Sequence, residues 1–298
     1  MTIYNLGSIN IDHVYRLTHQ PAPGETIAAL SYGQGLGGKG ANQSIAVARA
    51  GARVVHIGAM TGQGDDWVLD RMSEAGVDIR GIVRLPHSVS GHAIIMVDEE
   101  GENAIVLHAG ANRRLELADI EAALAGIGPD DTLLIQNETN LQLEAARIAR
   151  KTGARVIYSC APFEIEAARL MLDEVSILAL NQIEAAQLAA GFTGDLPVPA
   201  LLVTLGAKGA EYRDLCSSEV TFQPAFPVDP VDTTGAGDCF AGYFAAGLDM
   251  GRDLGEALRH ASAAAAIKVT RPGAGDGVPE ADEVLDFLAA QPGGKRCI

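Results

Sequence analysis

The sequence has few aromatic, basic and cysteine residues for its length of 298 residues. Aromatic side chains make up 5% of the chain, and 22 lysines and arginines stand against 38 aspartates and glutamates, a formal net charge of -16. A surface of that sign repels nucleic-acid phosphates and anionic lipids, so we expect neither nucleic acid nor a membrane as a partner. An anionic small substrate is compatible with this charge, because a local cluster of amides and one lysine can override the overall sign.

The cysteines and the apolar runs exclude further classes of protein. Cys160, Cys216, Cys239 and Cys297 form no CxxC pair and have no nearby histidine at metal-ligand spacing, which indicates neither a zinc site nor a disulfide framework. No apolar run reaches the roughly 20 residues that span a bilayer, and the N-terminal MTIYNLGSINID lacks a signal-peptide pattern. The sequence therefore predicts a protein of the reducing cytoplasm.

Short apolar runs alternate with helical patterns along most of the chain. Examples are TIYNLG before ANQSIAVARAGA, VVHIGAM before DDWVLDRMSEAG, and SILALN before IEAAQLAAG. Repeated strand and helix units predict an α/β fold, in which a mainly parallel sheet is covered by helices on both faces. Ligands of such sheets bind beyond the carboxyl ends of the strands. We treat residues 1–298 as one domain and interpret the C-terminal third as helical.

Two segments break this alternation and predict a small β appendage. Residues 9–35 and 88–109 have strand-like patterns without a following helix, and DEEGEN forms the turn of a hairpin in the second segment. They are interpreted either as a surface hairpin or as a lid that closes over a substrate.

The glycine-rich stretch GQGLGGKGANQ at 33–43 matches two phosphate-binding patterns incompletely. Its GxGxxG pattern lacks the acidic residue about 20 positions on, and its P-loop pattern has Gly40 where a Ser or Thr must bind Mg²⁺. Physically, the stretch offers bare backbone at Gly37, Gly38 and Gly40 that a ligand can approach, the charge of Lys39 and the amide of Asn42. A glycine turn in which Asn42 caps the next helix is the alternative.

Two further stretches carry acidic residues that are candidates for ligand binding or catalysis. Asn10 and Asp12 in GSINID are two positions apart, so in an extended segment their side chains point the same way and can bind vicinal hydroxyls. As an alternative, Asp12 also suits an ordinary turn. In DTTGAGD, small residues lead into a helix at Asp238. Free amides at a helix start bind negative charge, and Asp238 beside them could accept a proton, although simple helix capping selects the same residue types.

Together these motifs resemble the ribokinase-like, or PfkB-type, carbohydrate kinases. In the family's order the chain carries GSINID at 7–12, PGET at 23–26, GGKGANQ at 37–43, GENAIVLHAGAN at 101–112, LNQIEA at 180–185, VTLGAKG at 203–209, DTTGAGDCF at 232–240 and AAAAIKVTRPGA at 263–274. The resemblance implies a three-layer αβα sandwich with a mainly parallel central sheet and a small β lid that also forms a homodimer contact. It implies transfer of the γ-phosphoryl group of ATP to the primary hydroxyl of a pentose, above all D-ribose at O5, with Mg²⁺ and a monovalent cation such as K⁺.

The resemblance also implies roles for individual residues. The sugar would be bound by Asn10, Asp12, Gly38, Lys39, Asn42 and Glu138, with Asp238 as catalytic base and Gly235, Ala236 and Gly237 as the anion hole. Phosphate, water and Mg²⁺ would be organised by Asn181 and Glu184, and the nucleotide site would be lined by Thr204, Gly206, Gly209 and Ser262. The monovalent cation would be surrounded by Asp232, Thr234, Val269, Arg271 and Gly273.

The sequence departs from the family pattern at four places. Ser159 and Cys160 precede Pro162 where the family often has Asn or Asp, and GFTGDLPVPAL at 191–201 is too short for the usual covering helix. Gly277 replaces a usual Ser near the cation loop, and Ser262 stands where Asn or His often lies near the adenine. Kinases for another sugar or a nucleoside, and a catalytically silent sugar-binding protein, therefore stay open as alternatives.

Overall fold

The structure is a computed structural model that describes residues 1–192 and 194–291. Its strands are β1 (Ile3–Leu6), β2 (Asn10–Arg16), β3 (Ser31–Gly37), β4 (Val54–Thr61), β5 (Asp78–Leu85), β6 (Gly91–Val97), β7 (Asn103–His108), β8 (Thr132–Gln136), β9 (Arg155–Ser159), β10 (Ile177–Asn181), β11 (Ala200–Thr204), β12 (Gly209–Asp214) and β13 (Val220–Pro224). Its α-helices are α1 (Lys39–Arg49), α2 (Asp66–Glu74), α3 (Leu117–Ala123), α4 (Gln142–Thr152), α5 (Ile165–Met171), α6 (Gln182–Gly191), α7 (Ala236–Asp249), α8 (Leu254–Val269) and α9 (Ala281–Ala290).

A nine-stranded sheet forms the centre of the molecule, in the order β13-β12-β11-β10-β9-β8-β1-β4-β5. The pairings from β11 through β1 to β5 are parallel, whereas β12 and β13 are added antiparallel at one edge. The chain leaves β1 toward β4 on one side and later returns to β8 on the other. Such a switch point opens a crevice at the carboxyl ends of the neighbouring strands.

Helices cover both faces of this sheet, because its strands alternate apolar residues between two cores. In β8, Leu134 packs into the core that contains residues of α1, α7 and α8, whereas Leu133 and Ile135 pack into the core that contains residues of α4 and α5. The predicted α/β fold with a mainly parallel sheet between two helical layers is confirmed.

A separate four-stranded sheet has the order β3-β2-β6-β7. Strand β2 pairs antiparallel with β3 and parallel with β6, and β6 forms a hairpin with β7. The two segments that break the strand and helix alternation therefore supply one small sheet. Hereafter we call this four-stranded sheet the lid sheet.

Two features of the C-terminal half bear on the sequence interpretation. The C-terminal third is not wholly helical, since β11 to β13 occupy part of residues 200–224 before α7 begins. The alternation in these strands is short and interrupted by GAKG and DLCSSE, which hid them among loop signals. Helix α6 ends at Gly191 and β11 begins at Ala200, and no helix lies between them in the described part of this segment.

Candidate active site

Two adjoining cavities lie beyond the carboxyl ends of the parallel strands. The smaller, of ≈ 150 Å³, is bordered by Ser159, Asn181 and Thr204, which end β9, β10 and β11, and by the start of α7. The larger, of ≈ 380 Å³, is mostly apolar. Both cavities are lined by Thr204, Thr233, Ala236, Gly237 and Phe240. They form a continuous cleft with a polar compartment and an apolar one.

Asp238 lies in the first turn of α7 and borders the polar compartment. Its carboxylate is nearly buried, with 7% of the residue exposed. Asn42 Nδ2 donates to its Oδ2 at 3.2 Å, and Gln43 Nε2 donates to its Oδ1 at 3.0 Å. A carboxylate has about four lone-pair positions, so both oxygens keep acceptor capacity for a ligand hydroxyl.

A chain of buried amides fixes the orientation of Gln43. Gln136 Nε2 donates to Gln43 Oε1 at 2.8 Å and to Asn5 Oδ1 at 2.8 Å. Because the oxygen of Gln43 is already engaged, its NH₂ group must face Asp238. Asn5 continues the network through Ser44 to His56, whose pKa burial lowers to about 4, so that this imidazole is neutral near pH 7.

The predicted sugar-binding residues of β2 lie beside the end of β8. Glu138 accepts a hydrogen bond from the Ser8 hydroxyl and another from the Lys39 amide at 3.0 Å. Burial and, second, the negative charge of Glu138 raise the pKa of Asp12 to about 6. Asn10 Oδ1 accepts a hydrogen bond from Asn112 Nδ2 at 2.8 Å. The structure thus brings Asp12 and Glu138 close enough to interact electrostatically.

Two glycines of the GGKG stretch are required by packing within the protein. A Cβ on Gly37 would overlap the Asp12 carboxylate, and a Cβ on Gly40 would overlap the backbone of Gly7. Neither position therefore has room for a side chain. Gly38 has a φ of 93°, a conformation that favours glycine, and it turns the chain from β3 into α1.

Lys39 places a positive charge among three carboxylates. Its pKa is raised chiefly by Asp238 and, to a lesser extent, by Glu138 and Glu184, against the opposing effect of burial. The residue borders the polar compartment together with Asp238 and Glu184. Its ammonium is therefore available to a phosphoryl group in that compartment as well as to a sugar.

The stretch predicted to be an anion hole forms the turn into α7. Gly235 is the N-cap with a φ of 71°, and the Ala236 amide donates to the Thr233 carbonyl at 3.2 Å. The first four amides of an α-helix have no intrahelical partner, so the Gly237 and Asp238 amides point out of the helix start. Gly235, Ala236, Gly237 and Asp238 all line the polar compartment, where these amides and the helix dipole favour an anion.

Asn181 and Glu184 form a capping box at the start of α6. Asn181 Oδ1 accepts from the Glu184 amide at 2.9 Å, and Glu184 Oε2 accepts from the Asn181 amide at 2.7 Å. Burial is the main reason that the pKa of Glu184 is raised. Both residues line the polar compartment. Asn181 Oδ1 also accepts the Ile183 amide at 2.8 Å, so Glu184 is the member of this pair with an oxygen left for Mg²⁺, which keeps several waters and binds few protein ligands when it also binds phosphates. No cluster of three or more His, Cys, Asp or Glu side chains suited to a metal occurs in the described residues.

The residues predicted for the nucleotide border the apolar compartment. Thr204, Gly206, Gly209 and Ser262 all line it. Ser262 is 7% exposed, and its Oγ has no hydrogen-bond partner among the described residues. A buried hydroxyl without a partner is costly, so this group suits a polar edge of a bound base.

The residues predicted to surround a monovalent cation fit one poorly. The Val269 carbonyl already accepts the amides of Val231 at 2.7 Å and of Asp232 at 3.0 Å. The Arg271 side chain pairs with Glu283 at 2.6 Å. Asp232 accepts the amides of Thr234 and Gly273, each at 2.9 Å.

Hydrogen bonds determine the ionisation of Asp232. Burial tends to raise its pKa, but the hydrogen bonds from Thr234 and Gly273 and the charge of Lys268 outweigh burial and lower it. The carboxylate therefore joins the DTTGAGD turn to the loop after α8 in its ionised form at neutral pH.

Sequence reasoning missed Gln43, Asn112 and Lys268. All three stand inside motifs that carry the family resemblance, but a buried amide that orients another side chain has no distinguishing spacing. Lys268 follows an alanine-rich run near the end of α8 and gives no sign in the sequence that it is fully buried. Only the packing of α8 against the DTTGAGD turn reveals it.

Comparisons with known proteins match nearly the whole chain. The model of the "pfkB family carbohydrate kinase" matches residues 2–281. A ribokinase of Haemophilus influenzae is 37% identical over 306 residues, which cover 96% of this chain and 98% of that protein. Among solved structures, ribokinase from Cryptococcus neoformans in complex with ADP has a TM-score of 0.81 at 35% identity, covering 96% of this chain and 99% of its own. Ribokinase from Arabidopsis thaliana complexed with ribose and ATP has a TM-score of 0.83 at 26% identity, with 97% and 99% covered.

Proposed function

The chain belongs to the pfkB family of carbohydrate kinases, and we propose that it transfers the γ-phosphoryl group of ATP to the O5 hydroxyl of D-ribose. One observation carries the proposal. The Asp238 carboxylate, held by Asn42 and Gln43 of α1, borders the polar compartment together with Lys39 and the amides at the start of α7. The ribokinases with bound ribose and ATP or bound ADP support the same pair of substrates.

The proposed reaction uses Asp238 as the base. Ribose O5 attacks the γ-phosphorus, its bond to hydrogen breaks and the proton passes to Asp238, while the bond from the γ-phosphorus to the bridging oxygen breaks and ADP leaves. Phosphoryl transfer spreads charge over the γ-phosphoryl oxygens, so positioned donors matter more than covalent chemistry. The Gly235, Gly237 and Asp238 amides and the Lys39 ammonium supply that positive potential.

We assign the polar side chains near β2 to the sugar and the apolar compartment to the nucleotide. Asp12, Asn10 and Glu138 accept hydrogen bonds from the sugar hydroxyls. Asn42 and Gln43 orient the carboxylate of Asp238, the catalytic base. Gly206, Gly209 and Ser262 border the apolar compartment, which we assign to the adenine of ATP. Glu184, beside Asn181, would hold Mg²⁺, which would neutralise charge on the ATP phosphates. The monovalent cation is left out of the proposal, because Val269 and Gly277 do not offer it the expected oxygens.

The ribose assignment is tested by ATP-dependent ADP release over a panel of pentoses, hexoses and nucleosides. We expect the highest kcat/KM with D-ribose and a product phosphorylated at O5, identified by ³¹P NMR. Binding of sugars without any turnover would instead favour the silent sugar-binding protein. A higher kcat/KM for a nucleoside would favour the nucleoside kinase.

Sugar affinity is expected to depend on pH through Asp12. Its pKa is raised to about 6, and the ionised form is the better acceptor for sugar hydroxyls. As pH falls through that value the carboxylate is protonated, so KM for ribose should rise about tenfold by one pH unit below it. The measurement is KM against pH for the wild type and for Asp12→Asn, whose KM should be higher throughout but flat. An equal rise in the variant would assign the pH dependence to another group.

We also propose that the protein is a homodimer through the lid sheet. Ile105, Val106 and Leu107 of the edge strand β7 expose 57%, 58% and 49% of their area, so this edge leaves apolar side chains in water on both of its faces. Sedimentation should give a dimer at micromolar concentration, and Val106→Lys should yield monomers. A monomeric wild type would refute the proposal.

The described residues contain no helix long and apolar enough to cross a membrane, and a cytoplasmic location stays a prediction.

A further inference from the structure

Lys268 has an unusual environment for a lysine. It is the second-last residue of α8, none of its surface is exposed, and its Nζ donates to the Asp232 carbonyl at 2.8 Å. Lysine is almost never fully buried unless it is paired, because an isolated ammonium in the interior is very costly. The partner here is the first residue of the DTTGAGD turn.

The ammonium lies between two backbone segments that are otherwise joined by Asp232. On one side is the turn that leads to the α7 amides, and on the other is the loop after α8. The Asp232 carboxylate accepts the amides of Thr234 and Gly273, each at 2.9 Å, and it interacts electrostatically with Lys268. Lys268 thus places a positive charge at the junction that holds the anion-binding turn.

The missing side chain at residue 277 makes room for this lysine. A Cβ on Gly277 would lie 2.9 Å from the Gly273 carbonyl, 3.2 Å from the Pro272 carbonyl and 3.4 Å from Lys268 Cε. A serine at this position would therefore crowd both the loop carbonyls and the end of the lysine chain. The lysine and the glycine fit each other as a pair.

The same junction is where the family resemblance places a monovalent cation. In this chain, the Val269 carbonyl already accepts two amides and residue 277 has no hydroxyl. These positions thus have no free oxygen to bind an ion. The Lys268 ammonium, in contrast, lies within hydrogen-bond distance of the Asp232 carbonyl. The residues fit a built-in positive charge better than a bound ion.

We propose that the Lys268 ammonium takes the place of the monovalent cation, holds the DTTGAGD turn in its anion-binding conformation and makes the protein independent of K⁺. The kinetic consequence rests on the proposed kinase function. The consequence for ion binding does not, since it concerns a site that either binds K⁺ or does not.

The kinetic experiment compares ribose-dependent ADP release in KCl and in choline chloride at equal ionic strength. The wild type should have the same kcat and KM in both salts. Lys268→Met keeps an unbranched side chain, one atom shorter, without the charge. Its kcat should fall by roughly 10²-fold in either salt, because misplacing positioned groups by about 1 Å costs that much. Lys151→Ala, which removes an exposed lysine of α4, should behave like the wild type.

A second experiment rebuilds a cation site and measures melting temperature. Lys268→Ala removes the ammonium and frees the Asp232 carbonyl for an ion, and Gly277 is kept because a Cβ there would lie 2.9 Å from the Gly273 carbonyl. The melting temperature of this variant should rise with KCl but not with choline chloride, because a ligand bound only to the folded state stabilises it. The wild type and Lys151→Ala should show no such difference between the two salts.

The outcomes separate this proposal from the proposed function. A wild type that K⁺ activates about tenfold, or stabilises beyond choline, overturns the role of Lys268, and so does a Lys268→Met variant with wild-type kcat. If no ribose turnover occurs, the kinase assignment fails, and the melting temperature of the wild type in the two salts still decides whether the site binds K⁺.

Discussion

Asp238→Asn is expected to lower kcat by roughly 10³-fold with little change in ribose affinity, because a positioned general base contributes about 10² to 10⁴ in rate. The amide has nearly the shape of the carboxylate and keeps one oxygen for the Asn42 or Gln43 donor. It cannot take the proton of the sugar hydroxyl. Steady-state kinetics give kcat, and calorimetric titration with ribose gives the affinity.

Asp249→Asn is the matched control for this variant. Asp249 is also nearly buried on α7, and its change to Asn likewise removes only the charge. It lies at the far end of the helix from Asp238. Its kcat should be close to that of the wild type. If Asp238→Asn retained turnover near the wild-type rate while still binding ribose, Asp238 would not be the base, and the proton would have to leave by another route.

Gly40→Ala is expected to destabilise the fold by about 3 kcal/mol, at the upper end of overpacking costs. The added methyl would overlap the backbone of Gly7 and Ser8, where no side chain can turn away. Helix α1 would have to separate from β1 and would carry Asn42, Gln43 and the Lys39 amide with it. The urea midpoint and melting temperature measure the loss, and kcat should fall with the displaced base contacts.

Gly33→Ala is the control for the added methyl group. Gly33 lies in β3 with an ordinary negative φ, and a Cβ there would have no heavy atom within 4 Å. Its stability should stay within about 0.5 kcal/mol of the wild type. Equal urea midpoints for the two variants would mean that the contact between Gly40 and Gly7 relaxes at little cost and does not fix α1 on β1.

The alternation of apolar runs and helical patterns was sufficient to predict the sheet with helices on both faces. Strands such as β8 and β10 are short, continuous apolar runs, and each is followed by a pattern of helical period. Strands β12 and β13 were missed because an antiparallel edge has one exposed face and weaker apolar patterning. The two segments of the lid sheet were recognised from strand patterns without a following helix.

The same division holds within the candidate site. Asp238, Asp12 and Lys39 could be predicted because charged residues beside glycines or at a helix start are typical of binding and catalytic sites. The ordered motifs identified the family of the chain. Gln43 and Asn112 act by orienting other side chains, so their importance depends on distances that residue spacing does not encode. At Gly37 and Gly40, only the structure shows that Asp12 and Gly7 occupy the space that a side chain would need.

The sequence by itself determined the fold class, the family and the residue types of the site, because periodicity and ordered motifs are local properties of the chain. Only the tertiary structure decided which groups meet. It placed Asp238 against Gln43, although 195 positions separate them, and the Lys268 ammonium on the Asp232 carbonyl, 36 positions away. Burial and hydrogen bonding across such separations depend on how α1, α7 and α8 pack on the sheet, and this packing sets the surroundings of each charged group.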